Sequence, residues 1–140
     1  MTKDCKRGIV IGTSEYTKDF LKPLLESIKE TKYNILIVSN GAYNPIEIVQ
    51  EVFKGRDSRT YSIAINSWNG WELAVIQRGK ETFSEFVHIM DSTLIKDISL
   101  FDKVFAIEGN VVFTKGNYHY MGKFVTDQLP NLPRVHDKVT

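Results

Sequence analysis

The sequence predicts an α/β domain with a mainly parallel central sheet flanked by helices. Two observations carry this reading. Four short apolar runs, Ile9–Ile11, Ile35–Val38, Tyr61–Ile65 and Phe86–Met90, alternate with helical patterns through roughly the first ninety residues, as right-handed βαβ units do. Each run then ends in small or polar residues: Gly12-Thr13-Ser14, Ser39-Asn40-Gly41, Asn66-Ser67 and Asp91-Ser92-Thr93. Together these ends form one polar rim over an apolar sheet, and open α/β sheets bind ligands beyond the carboxyl ends of their strands.

The elements follow in order. After GIVIGTS, the residues Phe20, Leu21, Leu24, Leu25 and Ile28 recur at helical spacing, with Thr17 as N-cap. Pro23 requires that this helix begin late or kink. The run in YNILIVSNG leads to Asn44-Pro45-Ile46-Glu47, a helix start with Asn at N-cap, Pro at N1 and Glu at N3. Ile46, Val49, Val52 and Phe53 supply its inner face and Gly55 ends it. The third run enters NSWNG, and a helix from about Trp71 carries Leu73, Ala74, Val75 and Ile76 until Gly79 interrupts it. Beyond the fourth run come short β pieces, Val104–Ile107 and Val111–Thr114, separated by a turn at Glu108-Gly109 and followed by one at Gly116-Asn117.

Composition bounds the function. The 140 residues predict a single domain, with residues 1–6 and about 128–140 as loosely attached tails. The 18 basic and 17 acidic residues are scattered, which argues against a nucleic-acid partner, since duplex binding shows a basic face. Cys5 is the only cysteine, so no intrachain disulfide forms. No apolar run approaches the roughly 18 residues of a bilayer span, and the first residues lack the order of a signal peptide. The expectation is a soluble, cytoplasmic chain without a membrane span.

At the rim, neither a GxSxG elbow nor an HExxH, GxxxxGK[ST] or GxGxxG motif occurs. What remains is carboxylate and hydroxyl chemistry. Asp91 with Ser92 and Thr93 suits Mg²⁺ or Mn²⁺ if a diphosphate completes the shell. Equally, Asp91 suits a helix or turn cap, with Ser92 and Thr93 as ordinary loop residues. Arg78 could reach a phosphate or base with its fork of donors, or could be a solvated helix arginine. His119 could join oxygen ligands around Mn²⁺ or act as a structural hydrogen-bonder. Lys123 could neutralise a diphosphate. Trp68 and Trp71 could pack over a core edge or shelve a base or sugar.

In order, IVIGTSEY, DFLKPLLESI, NILIVSNG, NSWNGWELAVIQRG and FVHIMDST resemble the GT-A-fold glycosyltransferases, in particular the family-2-like group that uses nucleotide-diphospho-sugars. The likeness runs from about Gly8 to Thr93. It implies a Rossmann-like GT-A fold in a single minimal catalytic domain, similar to the stand-alone versions carried by phages. It also implies a nucleotide-sugar site with Thr13, Ser14 and Glu15 at the nucleoside pocket and Ser39 and Asn40 at the base or ribose. Asn69, Gly70 and Arg78 would approach the donor, with Ser92, Thr93 and Lys123 beside it. Asp91 would be the first acid of the D-x-D signature, and NYHYMGKF the closing strand from which His119 reaches the metal. Asp91 and Arg78 would carry catalysis, and Asp91, Thr93 and His119 would hold Mn²⁺ or Mg²⁺. Thr93 stands where the family has its second acid, and Ser39-Asn40 where many relatives have an aspartate. Asp97 and Asp102 are the nearest carboxylates to serve as a base. The implied function is transfer from a UDP-sugar, such as UDP-glucose, to an acceptor the sequence does not identify, and self-association is compatible with it. The competing expectations are a non-catalytic nucleotide-sugar-binding module and an α/β interaction domain.

Overall fold

The computed structural model describes residues 6–67, 69–115 and 119–131. Strand β1 (Arg7–Ser14) leads through a 3₁₀ turn into α1 (Lys18–Ile28), then β2 (Asn34–Asn40), α2 (Ile46–Val52), β3 (Tyr61–Ile65), α3 (Trp71–Thr82) and β4 (Glu85–Met90). After α4 (Leu100–Phe105) come β5 (Val111–Lys115) and β6 (His119–Val125). The six strands form one open sheet in the order β3-β2-β1-β4-β6-β5.

That sheet is mixed, where the sequence predicts a mainly parallel one. β1 pairs in parallel with β2 and β4, and β2 with β3. β6 runs antiparallel to both β4 and β5. The connection between β5 and β6 has only three residues, and so short a link permits only antiparallel pairing, since a parallel crossover needs a dozen or more.

The pleat divides the core in two. On one face Ile9, Ile11, Ile35, Ile37, Val87 and Ile89 pack against Leu21, Leu24, Leu25 and Ile28 of α1, Val49 of α2, and Phe101, Val104 and Phe105 of α4. On the other, Val10, Leu36, Val38, Phe86 and Phe124 meet Val75 of α3 and Phe83. Burial on both faces explains why these strands read as continuous apolar runs rather than as alternation.

Several local expectations change. Val104 and Phe105 belong to α4, not to a strand: Phe101, Val104 and Phe105 are three and four residues apart and turn one buried face to the sheet. α3 continues through Gly79 to Thr82. Pro23 lies inside α1, where its missing N–H deprives the Asp19 carbonyl of its helical partner on an exposed face. Phe20 and Ile46, expected inside, are exposed. Each segment expected to be a tail is held where it joins the domain. The Lys6 carbonyl accepts from the Ser84 and Glu85 amides, at 3.0 Å each. Lys80 Nζ donates to the Pro130 carbonyl at 3.0 Å, and Leu129 packs on the α3-side core. Among the described residues no helix is long and apolar enough to cross a membrane.

Strand order reverses beside β1. The chain passes from β1 through α1 to β2 on one side, and from β3 through α3 to β4 on the other. The carboxyl ends of β1 and β4 therefore part at a topological switch point, where such sheets leave a crevice.

Candidate functional site

A cleft of about 550 Å³ occupies this crevice. Gly12, Thr13 and Ser14 of β1 form its floor with Asn40 from β2 and Met90 from β4; Tyr16 and Thr17 form one wall, and Asn69, Trp71, Glu72 and Val75 the other. Two exposed aromatic rings border it, Tyr16 and Trp71, the former 94% and the latter 70% accessible. Glu72 is the one charged side chain among the described residues that line it.

A directed polar chain backs the cleft. Arg78 Nε donates to Asn66 Oδ1 at 2.8 Å, Asn66 Nδ2 to Asn40 Oδ1 at 2.8 Å, and Asn40 Nδ2 to the Trp71 carbonyl at 3.2 Å. Asn69 Oδ1 accepts from the Trp71 amide at 3.0 Å. Trp71 needs both contacts, because its φ of 56° puts a bulky side chain in the left-handed region. Such residues persist where their surroundings over-determine them, and they cluster at ligand sites. Arg78, expected to touch the donor, is thus engaged with Asn66 one layer behind the cleft wall.

Asp91 is also behind the wall, only 2% exposed. Its Oδ2 accepts from Thr13 Oγ1 at 2.9 Å and from Thr17 Oγ1. The turn that holds it is closed by the Thr93 amide on the Met90 carbonyl at 3.1 Å. Burial pushes the Asp91 carboxyl above its ordinary range, against the opposing pull of the Thr17 and Thr13 hydroxyls and of the Ser92 and Asp91 amides. Thr17 caps α1 in position but not in chemistry: its hydroxyl goes to Asp91 rather than to the helix amides.

The remaining expected residues scatter. Ser39 is fully buried, its Oγ without a partner among the described residues. Glu15 is exposed in the 3₁₀ turn, and Gly70 precedes α3, its carbonyl accepting from Ala74. Ser92 is exposed and Thr93 half-buried in the turn beyond Asp91. Lys123 is 1% exposed, its ammonium on the Ile107 carbonyl just past α4, where a cation complements a helix carboxyl end. Asp97 accepts from the Ser99 amide at 2.9 Å, and Asp102 pairs with Lys32 at 3.0 Å; neither lines the cleft. His119 belongs to β6, but its side chain, like Trp68 and Cys5, lies outside the described residues.

Among the described residues no three His, Cys, Asp or Glu side chains gather as a cation cage. Both hydroxyls go to Oδ2 of Asp91, and the side chain of His119 lies outside the described residues. The described side chains by themselves do not form a cage for Mn²⁺ or Mg²⁺. Deeper on the α3 face, His88 is fully buried, with Nδ1 3.1 Å from the Tyr120 hydroxyl. Burial lowers its pKa to about 4. Burial and the Glu72 charge raise that of Tyr120 to about 12.

Of the cleft residues, Tyr16 and Glu72 were given no role from the sequence, and Thr17, Val75 and Met90 were read only as cap, helix and strand residues. Asn66 was legible as a strand end but not as the link between Arg78 and Asn40. A second cavity, of about 460 Å³, opens at the opposite end of the sheet beside Arg56. There the guanidinium already donates to the Lys29, Thr31 and Tyr33 carbonyls, at 2.9, 2.6 and 2.5 Å, and so serves to tie the loop. Compared with protein-family models and with curated proteins, the sequence matches none.

Proposed function

We propose that the cleft binds a UDP-sugar and that the chain is the donor site of a minimal glycosyltransferase of GT-A type. The observation that carries this is the cleft itself. It lies at the switch point between β1 and β4, is large enough for a nucleotide, and is bordered by Trp71 in a strained, doubly hydrogen-bonded position. An exposed indole on a backbone held this way offers a stacking face to a base. Thr13, Ser14, Asn40 and Asn69 surround it with neutral hydrogen-bonding groups. In transfer, Glu72 is the lining carboxylate that would take the proton of an acceptor hydroxyl as that oxygen attacks the anomeric carbon and UDP departs. No step is assigned to a metal.

A second reading, a module that holds the nucleotide-sugar without transferring it, is favoured by the Asp91 carboxylate being occupied by Thr13 and Thr17. One pair of experiments separates the two. Calorimetric titration with UDP-glucose, with and without Mn²⁺, should show binding, weakened about tenfold in Trp71→Ala through loss of base stacking. Absence of binding at millimolar ligand rules out both readings. With binding established, release of UDP from UDP-glucose that disappears in Glu72→Gln while affinity persists supports the enzyme. Binding without any turnover over long incubation supports the module.

A further inference from the structure

Two non-glycine residues among those described have a positive φ, Ala42 at 66° and Trp71 at 56°. Neither is of the types that tolerate this region, which are glycine and, less often, asparagine and aspartate. Their surroundings must hold them there, and both are held through Asn66, the residue that follows β3. Asn66 is fully buried, and each of its four polar groups has a partner at 2.8 Å. Its amide donates to the Ser39 carbonyl, and its carbonyl accepts from the Ala42 amide. Its Nδ2 donates to Asn40 Oδ1, and its Oδ1 accepts from Arg78 Nε. The direction of this chain is fixed at the rim. The Trp71 carbonyl can only accept, so it takes Asn40 Nδ2, at 3.2 Å, and leaves Asn40 Oδ1 facing Asn66. Position 66 must then donate to Asn40 and accept from Arg78 at once, which an amide does and a carboxylate does not.

We propose that Asn66 is a positioning residue that sets the aromatic wall of the cleft before a ligand arrives. It ties the turn beyond β2 through Ala42 and ties Trp71 through Asn40, so the two left-handed residues share one buried anchor. This rests on reading the cleft as a nucleotide site, with Trp71 as the ring that stacks on the base. A left-handed tryptophan freed of its tie returns to the right-handed or extended regions, and its ring leaves the wall. A ligand then finds only the fraction of molecules with the ring in place, and its apparent affinity falls by that fraction. Arg78, which carries donors and no acceptor, closes the chain by holding Asn66 Oδ1.

Asn66→Asp is the decisive variant. The carboxylate keeps the contact with Arg78 but cannot donate, so the Asn40 oxygen is opposed either at position 66 or, if the amide turns over, at the Trp71 carbonyl. A positive φ brings an amide proton close to its own Hα and gives a strong intraresidue NOE, which is read in the free protein. We expect that NOE at Trp71 in the wild type and its weakening in Asn66→Asp. Calorimetry should show affinity for UDP-glucose lowered about tenfold, as for a competent population reduced to a tenth. A merely structural role would lower the thermal midpoint and leave both readouts unchanged. If Asn66→Asp does not fold, Asn40→Asp keeps an acceptor for Asn66, sets an oxygen against the Trp71 carbonyl, and should weaken the same NOE. An unchanged NOE or affinity in folded Asn66→Asp overturns the proposal, as does an unchanged NOE in Asn40→Asp. A wild type that binds no UDP-glucose overturns the nucleotide reading and the ligand role with it. The NOE needs no ligand, so the two failures are distinguishable.

Discussion

Asp91 stands at the strand end the sequence indicates, and its partners there are hydroxyls that the surrounding sequence does not contain. An apolar strand ending in an acid, followed by two hydroxyl residues, is compatible with both a cation ligand and a cap. The choice depends on groups 74 and 78 positions away, Thr17 and Thr13, and no local pattern contains them. In the fold the carboxylate ties the end of β1 and the start of α1 to the end of β4, and so shapes the cleft from behind. Asp91→Ala leaves two hydroxyls and the turn amides without their acceptor. We expect a loss of about 2–4 kcal/mol in urea unfolding, and a smaller one for Asp91→Asn, which keeps an oxygen in place. If Asp91→Ala unfolds at the wild-type midpoint, the carboxylate is not the tie described here. Asn40 and Asn69 were legible as cleft residues because one ends a strand and the other lies just before a helix. Arg78 was legible as a donor-rich side chain near the rim, but its place behind the cleft was not, since that depends on the contact with Asn66.

At the level of elements, β1 to β4 and α1 to α3 were legible because their periodicity and punctuation are strong. The failures came where residue type and packing disagree. Val104-Phe105-Ala106-Ile107 is as apolar as a strand, and only contact with the sheet beneath shows it to be the end of a helix. Gly79 looked like a helix breaker, yet it sits inside α3 for a steric reason: a Cβ there would stand 2.7 Å from the Phe86 ring. Glycine lets α3 lie close on β4, and α3 carries Trp71, Glu72 and Val75 to the cleft. Alanine would improve helix propensity by about 1 kcal/mol in isolation. Against a packed ring the overlap should reverse the sign, with Gly79→Ala less stable by about 1–3 kcal/mol. Chemical denaturation measures this, and a more stable variant would show that α3 is free to lift away from β4.

Across the whole molecule, stability and pH are linked through His88, a histidine sealed in the sheet. His88 is fully buried on β4 against Tyr120 of β6, whose hydroxyl is neutral and whose surroundings include the acidic Glu72. In the unfolded chain His88 takes up a proton near its ordinary 6.5, whereas in the fold burial lowers this to about 4. Between these values the unfolded state holds more protons than the folded one. Stability therefore rises with pH across that window and is lost as the pH falls from 6.5 toward 4. The interval amounts to about 3 kcal/mol. Asp91 acts with the opposite sign, because its raised carboxyl holds a proton in the fold at a pH where the unfolded chain has released it. As the pH falls through the carboxylate range it partly offsets the loss, so the wild-type curve alone does not isolate the histidine. His88→Gln does, since glutamine keeps a polar group beside Tyr120 and does not titrate. We expect unfolding free energies measured from pH 7 to 4 to fall by about 3 kcal/mol more in the wild type than in His88→Gln. Parallel curves would mean that His88 accepts its proton in the folded sheet as readily as in water.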